Sequence, residues 1–266
     1  MENLFWYQQL RKDFLWDYSY KITFFGQFAG IFISVVIFYF ISKIFDNTDS
    51  AYLENSNNNY FIFAIVGISI IDILTGLTRS ISISIRNAQA FGYIDTLLNS
   101  GINTFYLILC HMIYPFLKGI IKFFIYMNMI VIFIGIEISI VIFLKIFCVL
   151  FMTVLPFIGI AMLAGAFVLY YKQGDPINYI TNIIVTLFSG TIYPVEVMPD
   201  FMKSFSYLIP TTHSMNKIRS LISNGNSYEI NYSYTIFFSL LLIVISIYIL
   251  NYVINIIKKN GSSGSY

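Results

Sequence analysis

Of the chain's 266 residues 58% are hydrophobic and 11% charged, and its mean hydropathy is +0.77. A water-facing surface normally carries about 25% charged residues, so this chain cannot cover itself with solvated groups and belongs in a bilayer. Disordered, fibrous and disulfide-stapled classes are excluded with it, since there are 15 Gly, 6 Pro and 2 Cys, and a formal charge of +2 implies no nucleic-acid partner. Cys110 and Cys148 lie in apolar runs, where cysteine serves as a small buried hydrophobe.

At the start of the chain, Leu4, Tyr7, Leu10, Phe14 and Tyr18 recur at helical spacing, with Gln9, Lys12 and Ser19 on the other side. This predicts an amphipathic helix over residues 1–21, lying in the membrane interface. No cleavable signal peptide is expected, because the apolar stretch begins near Ile22, runs too long and lacks a small-residue cleavage site. A bilayer core of about 30 Å needs roughly 20 helical residues. Clear spans of that length are 22–44, 60–78 and 233–257. The stretch Thr104 to Tyr170 holds either two long helices meeting near Gly135 or three short ones with turns at Lys122 and Lys145. A further run, 177–192, is short and leads into Pro194. Residues 261–266, Gly-Ser-Ser-Gly-Ser-Tyr, read as a linker or tag remnant.

Basic residues stay on the cytoplasmic side, and this chooses between the counts. Two helices, 104–136 and 138–170, give six spans with both termini inside. Arg11, Lys12, Lys21, Arg79, Arg86, Lys118, Lys122, Lys172, Lys258 and Lys259 are then cytoplasmic, ten of the 15 basic residues. Seven spans would export the Lys258-Lys259 pair. The expected fold is therefore all-α: one polytopic membrane domain over 1–260, with six transmembrane helices and the interfacial helix. The external stretch 193–225, broken by Pro194, Pro199 and Pro210, is expected to fold back as a re-entrant helical hairpin between spans five and six.

Enzyme machinery is missing. The sequence has no GxxxxGK[ST] phosphate loop, no GxSxG and no His or Cys cluster at metal spacing. Catalytic and metal-ligating residues are expected to be none, so uphill transport would draw on another chain or an ion gradient. Asp72 is the one convincing ionisable residue inside a span, with Arg79 seven residues on along about the same face. Its two readings are an interhelical structural pair and a place on an ion pathway. His111, one turn before Pro115, reads as a hydrogen-bonded kink residue.

Leu187-Phe188-Ser189-Gly190-Thr191-Ile192-Tyr193-Pro194-Val195-Glu196-Val197-Met198-Pro199, then Leu208-Ile209-Pro210-Thr211-Thr212-His213 and Lys217-Ile218-Arg219, stand in this order before the last span. This stretch resembles the membrane subunit of type-2 ATP-binding-cassette exporters. A second segment, Asn87 to Leu98, is similar to that family's coupling helix in Gly92 and the Leu97-Leu98 pair, and departs from it in the uncharged Ala88 to Phe91 and in Tyr93.

The resemblance implies a permease that dimerises, with a second copy of itself or with a homologous permease, in the cell membrane. Two separate ATPase subunits would carry ATP and Mg, leaving this chain no cofactor of its own. Residues 87–99 would form the coupling helix, with Asn87, Gln89, Gly92, Tyr93, Asp95, Leu97 and Leu98 at the contact and the N-terminal helix alongside. Gly190, Pro194, Glu196, Pro199, Pro210 and Arg219 would shape an external gate, Arg219 pairing with Glu196, Asp200 or Glu229. The competing classes are an ion-coupled secondary transporter or channel using Asp72, and a membrane scaffold without flux.

Overall fold

The computed structural model describes residues 2–45, 59–99, 101–136, 138–172, 175–223 and 231–260. The described residues form ten α-helices: α1 Glu2–Ser19, α2 Lys21–Phe45, α3 Tyr60–Ala90, α4 Ile94–Leu98, α5 Thr104–Ile134, α6 Ile140–Tyr171, α7 Pro176–Phe188, α8 Asp200–Leu208, α9 Pro210–Ser223 and α10 Tyr232–Asn260. A short 3-10 turn, Val195–Val197, precedes α8. No strand occurs among these residues. Helix starts are set by side-chain caps: Asn59, Asn103, Ser139 and Asp175 each accept a backbone N–H from the first turn of α3, α5, α6 and α7.

Five helices, α2, α3, α5, α6 and α10, are long and apolar enough to cross a membrane. The long apolar stretch after Thr104 forms two of them. Gly135 ends α5 at φ +78, a left-handed conformation that glycine adopts without strain, and neither Lys122 nor Lys145 interrupts a helix. The run expected as 177–192 is the 13-residue helix α7. At 1.5 Å per residue it measures about 20 Å, short of a full bilayer core. Pro176 opens it, and Gly190 at φ +67 turns the chain away just after its end.

The hub is α3, most of whose membrane-length window is buried, whereas α2 and α10 keep wide apolar faces outward. Glycines set the closest approaches. A Cβ on Gly165 would stand 2.6 Å from Ile81 of α3, and one on Gly159 would stand 2.9 Å from the backbone of Leu242 on α10, so α6 is clamped between both. Cys110 is buried as expected, but Cys148 is exposed, because the first half of α6 presents a wide outward face.

Helix α1 keeps its aromatic stripe outward, the side an interfacial helix offers to lipid. Gln9 is buried and Asp13 and Asp17 are half-buried, while Tyr7, Phe14, Trp16 and Tyr18 are exposed. The reason is polar: Tyr114 of α5 donates to Asp17 Oδ2 at 2.7 Å, and Lys118 of α5 forms an ion pair with the same oxygen. A carboxylate with two partners on α5 turns the polar side of α1 toward the protein and leaves the aromatic side outward.

Candidate functional site

Two clusters stand at opposite ends of α3. At its start sits the proline-broken segment, organised around Arg219. This side chain is 1% exposed. Its Nε and Nη2 donate to the Phe63 carbonyl at 3.2 and 3.0 Å, Nη2 also reaches the carbonyls of Gly190 and Thr191 at 2.8 and 3.3 Å, and Nη1 reaches Asn216 Oδ1 at 3.3 Å. The guanidinium carbon lies 3.4 Å from the centre of the Phe63 ring.

Among the described residues Arg219 meets carbonyl and amide oxygens rather than an acidic partner. Glu196 is exposed and acts only through its field, and Glu229 lies outside the described residues. Carbonyls are abundant there because α7 has just ended, and a helix C-terminus leaves its last carbonyls without helical partners.

Hydroxyls satisfy the rest of the broken backbone. Ser206 donates to the Phe188 carbonyl, Thr212 to the Ser206 carbonyl at 2.7 Å, Thr191 to the Thr186 carbonyl at 2.7 Å, and Tyr60 to the Ile192 carbonyl at 3.1 Å. Ser189 and Thr211 share a 2.5 Å contact between their hydroxyls. Pro194 precedes the 3-10 turn, Pro199 precedes α8 and Pro210 opens α9. A Cβ on Gly190 would meet Val195 at 2.8 Å.

Gly67 belongs to this cluster and was missed in the sequence. A Cβ there would stand 2.2 Å from the Thr191 carbonyl oxygen, so the chain leaving α7 lies directly on the α3 backbone. Within an apolar run a glycine carries no signal of its own, and only the docking of α7 gives it a partner.

At the far end of α3 the segment 87–99 is built in three pieces. Asn87 and Gln89 lie on the last turn of α3, Phe91 to Tyr93 form a turn with Gly92 at φ +73, and α4 follows. Asp95 and Thr96 face outward, whereas Leu97 and Leu98 are half-buried and line a cavity within the bundle. Gln89 is buried, donating to the Leu169 carbonyl at 3.4 Å, with Oε1 unpartnered. Of the seven residues expected at a docking contact, Gln89, Leu97 and Leu98 therefore point inward. The N-terminal helix lies beside the segment: the Trp16 and Phe91 rings are 6.5 Å apart, and burial together with the nearby Asp13 raises the Tyr93 phenol pKa.

Between the two ends, Asp72 of α3 forms an ion pair with Lys122 of α5 at 3.2 Å. Its neighbour is thus a cation across the helix pair rather than Arg79 on its own helix. Close by, Thr75 donates to Asn182 of α7, and Asn178 donates to Ser82 and to the Thr78 carbonyl. His111 Nδ1 lies 2.7 Å from the Leu107 carbonyl, one turn before Pro115. Among the described residues no group of three or more His, Cys, Asp or Glu is gathered to hold a metal.

An all-helical bundle with five membrane-length helices, a proline-broken segment closed on a buried arginine and a short helix at the opposite end is the architecture of a multi-pass membrane protein. The family model for the ABC-2 type transporter matches residues 12–223, most of the chain. The chain belongs to that family, the membrane permease components of ATP-binding-cassette transporters. Comparison with curated proteins gave no match.

Proposed function

We propose that the chain is the permease subunit of an ATP-driven exporter, that it works as a dimer with a second copy of itself or a homologous permease, and that two separate ATPase subunits carrying ATP and Mg drive it. The observation that carries this reading is the family match over residues 12–223 in a chain whose sequence has no phosphate loop of its own. Binding of ATP elsewhere can change this bundle only if its free energy differs between two arrangements of the dimer. The contact that transmits it is α4 with the turn before it, Asp95 and Thr96 outward and Leu97 and Leu98 seating the helix on the bundle. Such a rigid foot passes on rigid-body motion.

The membrane is the cell membrane and both termini are cytoplasmic. Lys258 and Lys259 close α10, at the end where α4 and α1 lie, in keeping with the placement of basic residues inside. The sixth crossing is made by α7 together with the segment that follows it. About 20 Å of helix is completed by a re-entrant hairpin, α8 and α9, in the outer leaflet. Non-helical backbone is tolerated at membrane depth only where its polar groups are satisfied within the protein. Arg219 and the Ser and Thr hydroxyls provide that, which supports a hairpin closing the outer end of the path.

Asp72 is read as structural. A carboxylate already paired with Lys122 has its charge balanced without a transported ion. Copurification tests the whole reading: the chain expressed with its neighbouring ATPase should retain that ATPase through purification, and Asp95→Arg should release it. A chain that transports substrate on an ion gradient without any ATPase would refute the proposal.

A further inference from the structure

Asp72, Gly76, Arg79 and Ile83 recur at spacings of 4, 3 and 4, which puts them on one face of α3. Helix α5 packs along one flank of this face, where a Cβ on Gly119 would stand 3.1 Å from Ile73 and Lys122 pairs with Asp72. Helix α7 packs along the other, where Asn182 accepts from Thr75 and Asn178 donates to Ser82 and to the Thr78 carbonyl. Between the flanks the face is uncovered. Gly76 and Arg79 are exposed, and a Cβ on Gly76 would meet nothing within 4 Å, so packing within the chain gives no reason for a glycine there.

The uncovered strip is polar where a bilayer is not. Tyr60 begins α3 and Ile134 ends α5 at the same end of the bundle, where the Phe61 and Phe133 rings are 5.9 Å apart. Asp72 and Lys122 each stand about 18 Å along their helices from that end, inside a core of about 30 Å. A carboxylate 37% exposed at that depth is costly against hydrocarbon and marks a face turned to water or to polar groups. Lipid has the apolar outward faces of α2 and α10 instead. Among the described residues no carboxylate pairs with Arg79: Asp72 is paired with Lys122, and Asp175 accepts from the Asn178 backbone and amide through its two oxygens. Asn182 takes the Thr75 hydroxyl on its carbonyl oxygen, which leaves its amide hydrogens for another acceptor.

We infer that this strip is a wall of the transport path on which the cargo's head group binds, and that the head group is an anion, a carboxylate or a phosphate. Arg79 supplies the charge and a fork of donors that matches such a group, Asn182 adds a donor from the α7 flank, and Gly76 leaves the room between them. The Asp72 and Lys122 pair closes the site on the α5 side without competing for the anion, since its charges cancel. The inference rests on the permease reading and deepens it by naming the class of cargo.

The test is thiol reactivity of the full chain in membrane vesicles opened to both sides, with two water-soluble methanethiosulfonates, one bearing a sulfonate and one a trimethylammonium. Gly76→Cys carries the reporter, or Thr75→Cys should the first variant fail to fold. Phe32→Cys on the outward face of α2, 53% exposed, is the lipid-facing reference, and the parent chain with Cys110 and Cys148 is the blank. The reporter is expected to react about tenfold faster than the reference, because the reactive thiolate forms in water. Adding Arg79→Gln should lower the ratio of sulfonate to ammonium rates about threefold, the effect of losing one screened charge a helix turn away. A reporter no faster than Phe32→Cys, or one that instead forms a disulfide with the same residue of a second copy, would overturn the path wall. A rate ratio indifferent to Arg79→Gln would overturn the anionic head group. Each of these failures leaves retention of the ATPase through purification, the test of the permease reading itself, unaffected.

Discussion

A buried guanidinium whose partners among the described residues are all neutral depends on fixed dipoles, and Arg219 has them because four backbone and side-chain oxygens converge on it. Lysine keeps the charge but offers a compact ammonium in place of a planar fork, so Arg219→Lys leaves carbonyls unsatisfied. Removing a partner from a buried charged network costs about 3 kcal/mol; thermal unfolding in detergent should show a clear drop in midpoint for Arg219→Lys and Arg219→Met alike, and an unchanged midpoint would remove Arg219 from its central place. Gly67→Ala acts on the same joint from the other side. Its methyl would stand 2.2 Å from the Thr191 oxygen, and relieving that overlap costs about 1–3 kcal/mol, visible in the same melting experiment. Arg219 was legible through the resemblance to type-2 exporters, in which an arginine follows the proline-broken stretch before the last span. Its partners were not, because charge matching suggests carboxylates whereas the fold supplies the carbonyls at the end of α7.

At the scale of elements, α4 separates two roles that adjacent residues share. Asp95 and Thr96 are exposed and Leu97 and Leu98 half-buried, so Asp95→Ala with Thr96→Ala should leave the stability within about 0.5 kcal/mol of the parent, as surface changes do. The same double change should lower ATPase-coupled transport severalfold. Leu97→Ala with Leu98→Ala should instead cost about 2 kcal/mol of stability, less than full burial would imply. Equal effects of both pairs on stability would contradict the division. The Asp72 and Lys122 pair is partly exposed, and its double-mutant coupling should be about 1 kcal/mol, discounted for solvent screening. The long spans were legible from hydropathy because α2, α3, α5, α6 and α10 each outrun a bilayer. The partners of Asp17 were not, because Tyr114 and Lys118 of α5 are brought near it only by tertiary packing.

Across the whole molecule, α3 joins the two stations: its first turns hold the Arg219 cluster and its last turn leads into α4. A helix of 31 residues is about 46 Å long, enough to tie the Arg219 cluster rigidly to α4. Such a bundle fixes the sidedness of every loop. Asp200→Cys and Lys258→Cys, both at exposed positions, should react with a membrane-impermeant maleimide from opposite faces of right-side-out vesicles, and same-side labelling would contradict the six-crossing path. The central claim is that this chain supplies the path and receives its energy from a partner chain at α4. Its most direct measurement is substrate accumulation in proteoliposomes holding the chain with and without the partner ATPase. The account predicts neither ATP hydrolysis nor uphill movement from the chain alone, and ATP-dependent movement when the ATPase is present and Asp95 and Thr96 are intact. Hydrolysis or concentrative transport by the chain alone would contradict it.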